Sequence, residues 1–219
     1  MSKILADESN QNACQSADKH RVFNELEQMF IKNETIALRP AEPEDAERIF
    51  IWENDRDVWR VSGTHAPYSS FQIEQFLLGD NDLQANKQLR LMIDLTENGQ
   101  TIGCIDIYDY DGFNQRASLG ILIDKAHRRQ GFANTALALC IEYLFRDLLL
   151  HQVHCAIDAL NTESQQLFES LGFVLCGRRK EWIRTAEGFI DELEYQKLNG
   201  QVWQSDDTTP FLRKLQFQK

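Results

Sequence analysis

The 219 residues are enough for one large domain or two small ones. Lys and Arg number 23 against 34 Asp and Glu, a formal net charge of −11, which argues against a duplex-DNA or RNA binder because such a protein needs a basic face. With 42% hydrophobic residues, including 13 Phe and 4 Trp, global disorder is excluded, and no run approaches the ~20 uncharged apolar residues of a membrane helix.

The acidic balance leaves room for a cationic substrate, and it equally serves solubility alone. The start, Met1 to Glu8, has no signal-peptide apolar core, and the five cysteines (Cys14, Cys104, Cys140, Cys155, Cys176) form no close pair. These read as reduced thiols, so the expected compartment is the cytoplasm.

In chain order, Val22, Phe23, Leu26, Met29 and Phe30 fall at helical spacing and predict an amphipathic helix over Asp18–Ile31, set in an N-terminal extension, 1–34. Ile36–Arg39 reads as a strand ended by Pro40. Pro43 precedes a helix whose early acids, Glu44, Asp45 and Glu47, suit a positive helix N-terminus. The acids between Glu34 and Asp57 read either as a solvated face or as an acidic mouth for a cation. Trp59–Tyr68 reads as loop and Ser69–Gly79 as helix. Leu89–Leu95, Thr101–Tyr110 and Ala117–Asp124 read as three consecutive strands of an antiparallel meander, the first two joined by an Asn98-Gly99 hairpin turn. A long helix, Asn134–Leu150, then a strand, Gln152–Asp158, and a helix, Glu163–Leu171, stopped by Gly172, follow. The strands Phe173–Ile183 and Phe189–Leu198 close a domain over 35–199, and 200–219 is a C-terminal tail with Trp203, Phe211, Leu215 and Phe217. Hairpins mixed with a strand–helix–strand crossover imply an α+β (mixed α/β) domain on a mixed, mostly antiparallel sheet.

The chemistry is expected where a strand runs through Ile123-Asp124 and Lys125-Ala126-His127-Arg128-Arg129-Gln130-Gly131-Phe132-Ala133-Asn134 into the long helix. A helix N-terminus exposes unpaired N–H groups and the positive end of its dipole, so anions bind there. Gly131 lets backbone approach an anion, Ala133 keeps the first turn open, and Arg128 and Arg129 add positive charge. The loop is neither a Walker loop nor a Rossmann fingerprint. In the second segment, Asn161 to Phe173, Thr162 and Gln165 make a capping box, Leu167, Phe168 and Leu171 face a core, and Asn161 either caps the helix or binds a ligand.

Together these segments resemble the GNAT superfamily of acetyl-CoA-dependent N-acetyltransferases. Arg128-x-x-Gly131-x-Ala133 is similar to its pyrophosphate loop, and Asn161 to Phe173 to the helix segment that follows. The final strands, with Gly177-Arg178, Gly188 and Asp191, resemble the branch of ribosomal-protein and spermidine acetyltransferases. The resemblance covers about Thr35 to Asn199 and implies a six- to seven-stranded sheet, acetyl-CoA as co-substrate and a primary amine as acceptor. It further implies that backbone groups of Ile121, Leu122 and Ile123 pair with the pantetheine. The amides from Arg129 through Gln130, Gly131, Phe132 and Ala133 to Asn134 would bind the pyrophosphate, and Asn161, Ser164 and Phe168 would line the coenzyme's other side. An oxyanion donor is expected at the amide of Ile121 or Ile123. The family's usual acid for the leaving thiolate is a Tyr where this chain has Phe168, which has no proton to give.

Asp106 is the expected base, with an exposed edge acid as the alternative. Trp59, His65 and Tyr108 are expected near the acceptor, with packing as the alternative for Trp59 and Tyr108 and an ordinary loop histidine as that for His65; Tyr110 is read as Tyr108 is. His151 and His154, three apart on a strand, point to opposite faces and are not expected to share a metal. The substrate alternatives are a polyamine or diamine first, then a protein N-terminus or an antibiotic amine; the spermidine branch carries acids around its Pro-Tyr pair, and Thr64 to Ser69 here carries none. A non-catalytic acyl-CoA-binding regulator is the reading from another class, motivated by Phe168. Neither nucleic acid nor membrane is expected as a partner, and a homo-oligomer remains open.

Overall fold

The structure, a computed structural model, describes residues 31–62, 64, 66–79 and 83–200. The elements are β1 (Ile31–Lys32), β2 (Ile36–Pro40), a 3-10 turn (Pro43–Asp45), α1 (Ala46–Glu53), α2 (Arg56–Ser62), α3 (Ser70–Leu78), α4 (Leu83–Asn86), β3 (Leu89–Leu95), β4 (Thr101–Asp111), β5 (Arg116–Ile123), a second 3-10 turn (Lys125–His127), α5 (Phe132–Arg146), β6 (Gln152–Asp158), α6 (Thr162–Ser170), β7 (Val174–Thr185) and β8 (Gly188–Leu198). The strands form one sheet in the order β1-β2-β3-β4-β5-β6-β8-β7. Every neighbouring pair is antiparallel except β5 and β6, which the α5 crossover makes parallel. The meander is therefore β3-β4-β5, and the sheet is mixed and mostly antiparallel, with eight strands because Ile31–Lys32 adds a short one.

Strand alternation divides the core between two faces. On one face Leu91, Ile93, Ile105, Ile107, Leu119 and Ile123 are buried with Ala136, Leu137, Cys140 and Leu144 of α5 and Phe168 of α6. On the other, Met92 and Cys104 are buried with Ile49 and Trp52 of α1 and Ile73 and Leu77 of α3, and Leu122 packs against them. The helices are placed by ordinary end signals. Ser69 accepts from the Gln72 N–H and the Gln72 side chain accepts in return from the Ser69 N–H, a reciprocal cap that starts α3.

Several expectations shift. Residues 18–30 of the expected N-terminal helix lie outside the described residues, and Ile31 belongs to a strand. Trp59–Tyr68 is not all loop: α2 occupies 56–62, started by Asp55, whose carboxylate accepts from the Asp57 N–H and whose carbonyl accepts from Val58 and Trp59. Residues 83–86 form a helical turn that the sequence pattern does not signal. The long helix starts two residues earlier than read, because Gly131 with φ of 85° is its N-cap, and it ends at Arg146. Asn161, not Thr162, caps α6, and Gln165 instead donates to the Asp158 and Ala159 carbonyls.

Candidate functional site

The site begins where two strands part. β5 and β6 pair at only three positions, Arg116 with Gln152, Ala117 with Val153 and Ser118 with His154. Beyond Ser118, β5 runs on to Ile123 paired with β4 alone, and beyond His154, β6 runs on to Asp158 paired with β8 alone. A wedge-shaped gap therefore opens from the Ser118–His154 pair. The Asp124 N–H donates to the Ile102 carbonyl. Because backbone groups alternate sides along a strand, Leu122 and Gly120 also turn their N–H and C=O toward β4. Leu119, Ile121 and Ile123 turn theirs into the gap. Of the three residues expected to meet the pantetheine by their backbone, Ile121 and Ile123 face the gap; Leu122 does not, and its side chain packs with α1 and α3.

The strand leads into the basic loop. Asp124 accepts from the Ala126 N–H and from the Trp52 indole, which ties the loop's start to α1. Arg128 spends its Nε on the Ile123 carbonyl at 2.9 Å, so it braces the loop as well as charging it. Arg129, at φ of 60°, lies exposed and pairs with Glu163 of α6 at 2.7 Å. Gln130 donates to the Ala126 carbonyl. Gly131 takes the left-handed conformation with open space where a side chain would project. The first helical acceptor after it is its own carbonyl, bonded by Thr135 N–H, so the amides of Phe132, Ala133 and Asn134 have no partner within the helix. Open space, three convergent amides and a dipole end fit a pyrophosphate. Asn134 crosses to Ser170 Oγ at 2.9 Å, holding α5 against α6. Across the groove Asn161 accepts from the Ser164 N–H, so Asn161 and Ser164 stand at the N-terminus of α6.

Phe168 takes the core-facing place that its spacing predicts. It is buried in the main core, edge-on to Phe173 at 5.0 Å, so its ring packs the core beneath α6 rather than lining an open groove.

The other face of the gap carries the polar groups. Gly120, lacking a side chain, leaves a notch over which Tyr108 leans: a Cβ on Gly120 would lie 3.7 Å from the Tyr108 ring, and 3.9 Å from the Cβ of Asp106, the residue directly opposite. Burial, with Cys155, Asp109, Asp106 and Glu192 nearby, pushes the Tyr108 phenol up to about 12, so it stays protonated at neutral pH. Asp106 is clamped by Arg90, whose Nε and Nη2 donate to its two oxygens at 2.7 and 3.0 Å. Arg90 also pairs with Glu53 at the end of α1 at 2.7 Å and lies over the Phe76 ring. Burial works against the Arg90 charge, but Asp106 and Glu53 outweigh it and raise its pKa. Both Asp106 oxygens are thus held in one geometry by a bidentate, charge-assisted pair. Glu53 and Asp106 together exceed Arg90 by one negative charge.

The remaining expected residues are dispersed. The Trp59 indole donates to the Glu53 carbonyl and supports the α1–α2 corner. Tyr110 is buried in the main core, its hydroxyl accepting from Gln84. His65 lies outside the described residues. The acids before Asp57 are largely partnered: Asp45 with Arg39, Glu53 with Arg90, and Asp55 and Asp57 with Lys125. Cys140 is fully buried and pushed up to about 12 by desolvation, so it is no nucleophile. Sequence reasoning missed Arg90 and Glu53, and it weighed His154 only as a metal ligand. No pattern within one segment signals them, because their meaning comes from cross-strand register.

The family profile described as "Acetyltransferase (GNAT) domain" matches residues 35–174. The chain is 28% identical over 159 residues to the uncharacterized N-acetyltransferase p20 of Bacillus licheniformis, covering 72% of this chain and 89% of that protein. It is 26% identical over 143 residues to the spermidine N(1)-acetyltransferase of Vibrio cholerae, covering 65% of this chain and 80% of that protein. The fold is similar to the crystal structure of spermidine N-acetyltransferase from Vibrio cholerae in complex with CoA and spermine, with a TM-score of 0.69, 24% identity, and coverage of 76% of this chain and 97% of that one. The matched stretch spans both the parted strands and the glycine loop, and the chain belongs to the GNAT family of N-acetyltransferases, which use acetyl-CoA.

Proposed function

We propose that the protein transfers acetyl from acetyl-CoA to a small primary amine, with a polyamine or diamine as the first substrate class. The observation that carries this is the Glu53–Arg90–Asp106 cluster, one negative charge in excess, fixed beside the Gly120 notch on the face away from α5 and α6. A fixed anion there attracts an ammonium group and, for a polyamine, retains one charged nitrogen while a neutral one reacts. The similarity to a spermidine acetyltransferase supports the same class.

In this reading the pyrophosphate lies against the amides at the start of α5, and the backbones of Ile121 and Ile123 receive the pantetheine. The neutral amine enters from the Asp106 and Tyr108 side and attacks the acetyl carbonyl. The N–C bond forms, the C–S bond breaks, the sulfur leaves with the electron pair, and the nitrogen gives up one proton to a base or water. The Ile121 or Ile123 N–H holds the developing oxyanion. Phe168 offers the thiolate no proton, and a thiol with pKa near ~8.5 leaves adequately without one.

The test is thiol release from acetyl-CoA with polyamines, monoamines, peptide N-termini and aminoglycosides. The expected result is release with a polyamine at a kcat/KM at least about tenfold above the others. For Asp106→Asn the expected change is a rise in KM for the polyamine with kcat little altered. Release with no amine in the panel refutes the reading. Release with a peptide or aminoglycoside alone refutes the substrate class.

A further inference from the structure

The gap starts at a serine and a histidine that nothing in the coenzyme-binding scheme uses. Ser118 and His154 are the last paired residues of β5 and β6. The Ser118 hydroxyl lies 3.3 Å from both Nδ1 and Nε2 of His154, within reach of either nitrogen as the tautomer requires. Register places the pair on the substrate face: Ser118 lies opposite Tyr108, as Gly120 lies opposite Asp106. Ser118 is buried and His154 half-buried. The Tyr108 ring, over Gly120, lies one residue pair further along the strands. Hydroxyl, imidazole and phenol are thus gathered at the narrow end of the gap, where α5 and α6 do not reach.

We propose that His154 accepts the proton released when the amine attacks, directly or through the Ser118 hydroxyl; this rests on the acetyltransferase reading above. Nitrogen attack on the thioester forms N–C and breaks C–S, and the sulfur leaves as thiolate. The proton lost by nitrogen passes to the imidazole, which becomes imidazolium and releases it to water. Asp106, held on both oxygens by Arg90, then serves to hold the substrate's charge rather than to take its proton.

The surroundings favour a neutral imidazole. Burial is the largest influence and lowers the His154 pKa; Arg116 on β5 and Arg179 on β7 act the same way, while Asp109 on β4 and Glu194 on β8 oppose them. The net shift is downward from 6.5. A base with a lowered pKa is unprotonated at neutral pH and is lost as pH falls through that value.

The experiment measures kcat/KM for the best amine from pH 5 to 8, in roughly half-unit steps, for wild type, His154→Gln, Ser118→Ala and Asp106→Asn. Wild type is expected to show a break below 6.5. His154→Gln is expected to lose the break and about 100-fold in rate. Asp106→Asn is expected to keep the break. A break retained in His154→Gln, with rates within about twofold of wild type, overturns the proposal, as does a break lost only in Asp106→Asn. Should His154→Gln fail to fold, the wild-type His154 ring protons followed by NMR serve instead. Titration below 6.5 that moves on adding CoA supports the proposal, and titration at or above 6.5 without response overturns it. Wild type active with His154→Gln unchanged refutes His154 alone, whereas wild type inactive on every amine refutes both readings.

Discussion

Gly131 shows how a residue's backbone can be legible in sequence while the side-chain directions of its neighbours are not. Its sequence context announces a backbone position close to an anion, and the structure gives it φ of 85° with nothing within 4 Å of a Cβ. Gly131→Val meets no clash, but a β-branched residue there is strained by about 1–2 kcal/mol and pulls the loop out of shape. The expected outcome is a fall in melting temperature of only a few degrees and a loss of CoA affinity above about tenfold, read by calorimetry. Unchanged affinity would refute the loop as the phosphate site. Arg128 reads from sequence as charge for phosphate, yet its Nε is committed to the Ile123 carbonyl. Phe168 reads as core-facing by spacing, and the structure supplies its partner, Phe173. Sequence names the residue type, and the direction of the side chain comes from its neighbours.

At the scale of elements, the strands of the meander were readable because alternation and an Asn-Gly turn are local signals. β3 spans Leu89–Leu95 and β6 spans Gln152–Asp158 as the pattern predicts. α2 escaped because its start is set by the Asp55 cap and its burial by Val58 and Trp59 against other elements. Gly103 marks a close approach of β5 to β4: a Cβ there would lie 2.2 Å from the Leu122 carbonyl oxygen and 3.0 Å from the Ile123 side chain. Backbone cannot yield as a flexible side chain does, so Gly103→Val should destabilise by about 1–3 kcal/mol or more by overpacking. Urea unfolding checks this, and a change below about 0.5 kcal/mol would show that β5 shifts freely. The same shift would displace the Ile121 and Ile123 amides, so activity should fall further than stability explains.

For the whole molecule, the charge of −11 leaves room for a cationic substrate and equally serves solubility, and the acids between Glu34 and Asp57 read as a solvated face or an acidic mouth. The structure redistributes that charge. Asp45, Glu53, Asp55 and Asp57 are each tied to a cation, and the Glu53–Arg90–Asp106 cluster carries a single excess negative charge. The overall field still attracts a cation from a distance. Raising NaCl from about 0.05 to 0.5 M should therefore lower kcat/KM for a polyamine several-fold and for a monoamine less, because screening grows with the number of charges drawn in. Equal salt dependence for both would show that the field plays no part in capture. No helix among the described residues is long and apolar enough to cross a membrane.

By itself, the sequence determined the order of the seven long strands over 35–199, the two helices that follow β5 and β6, and the family, since each is carried by short-range patterns: alternation, helix ends, and a glycine ahead of a helix start. Only the tertiary structure decided that β5 and β6 part after Ser118 and His154, that Arg90 clamps Asp106, and that Tyr108 leans over Gly120. These depend on register between segments up to 36 residues apart, as with Ser118 and His154. Strand pairing selects register by burying whole faces, and no pattern within a single strand reveals which residue will stand opposite.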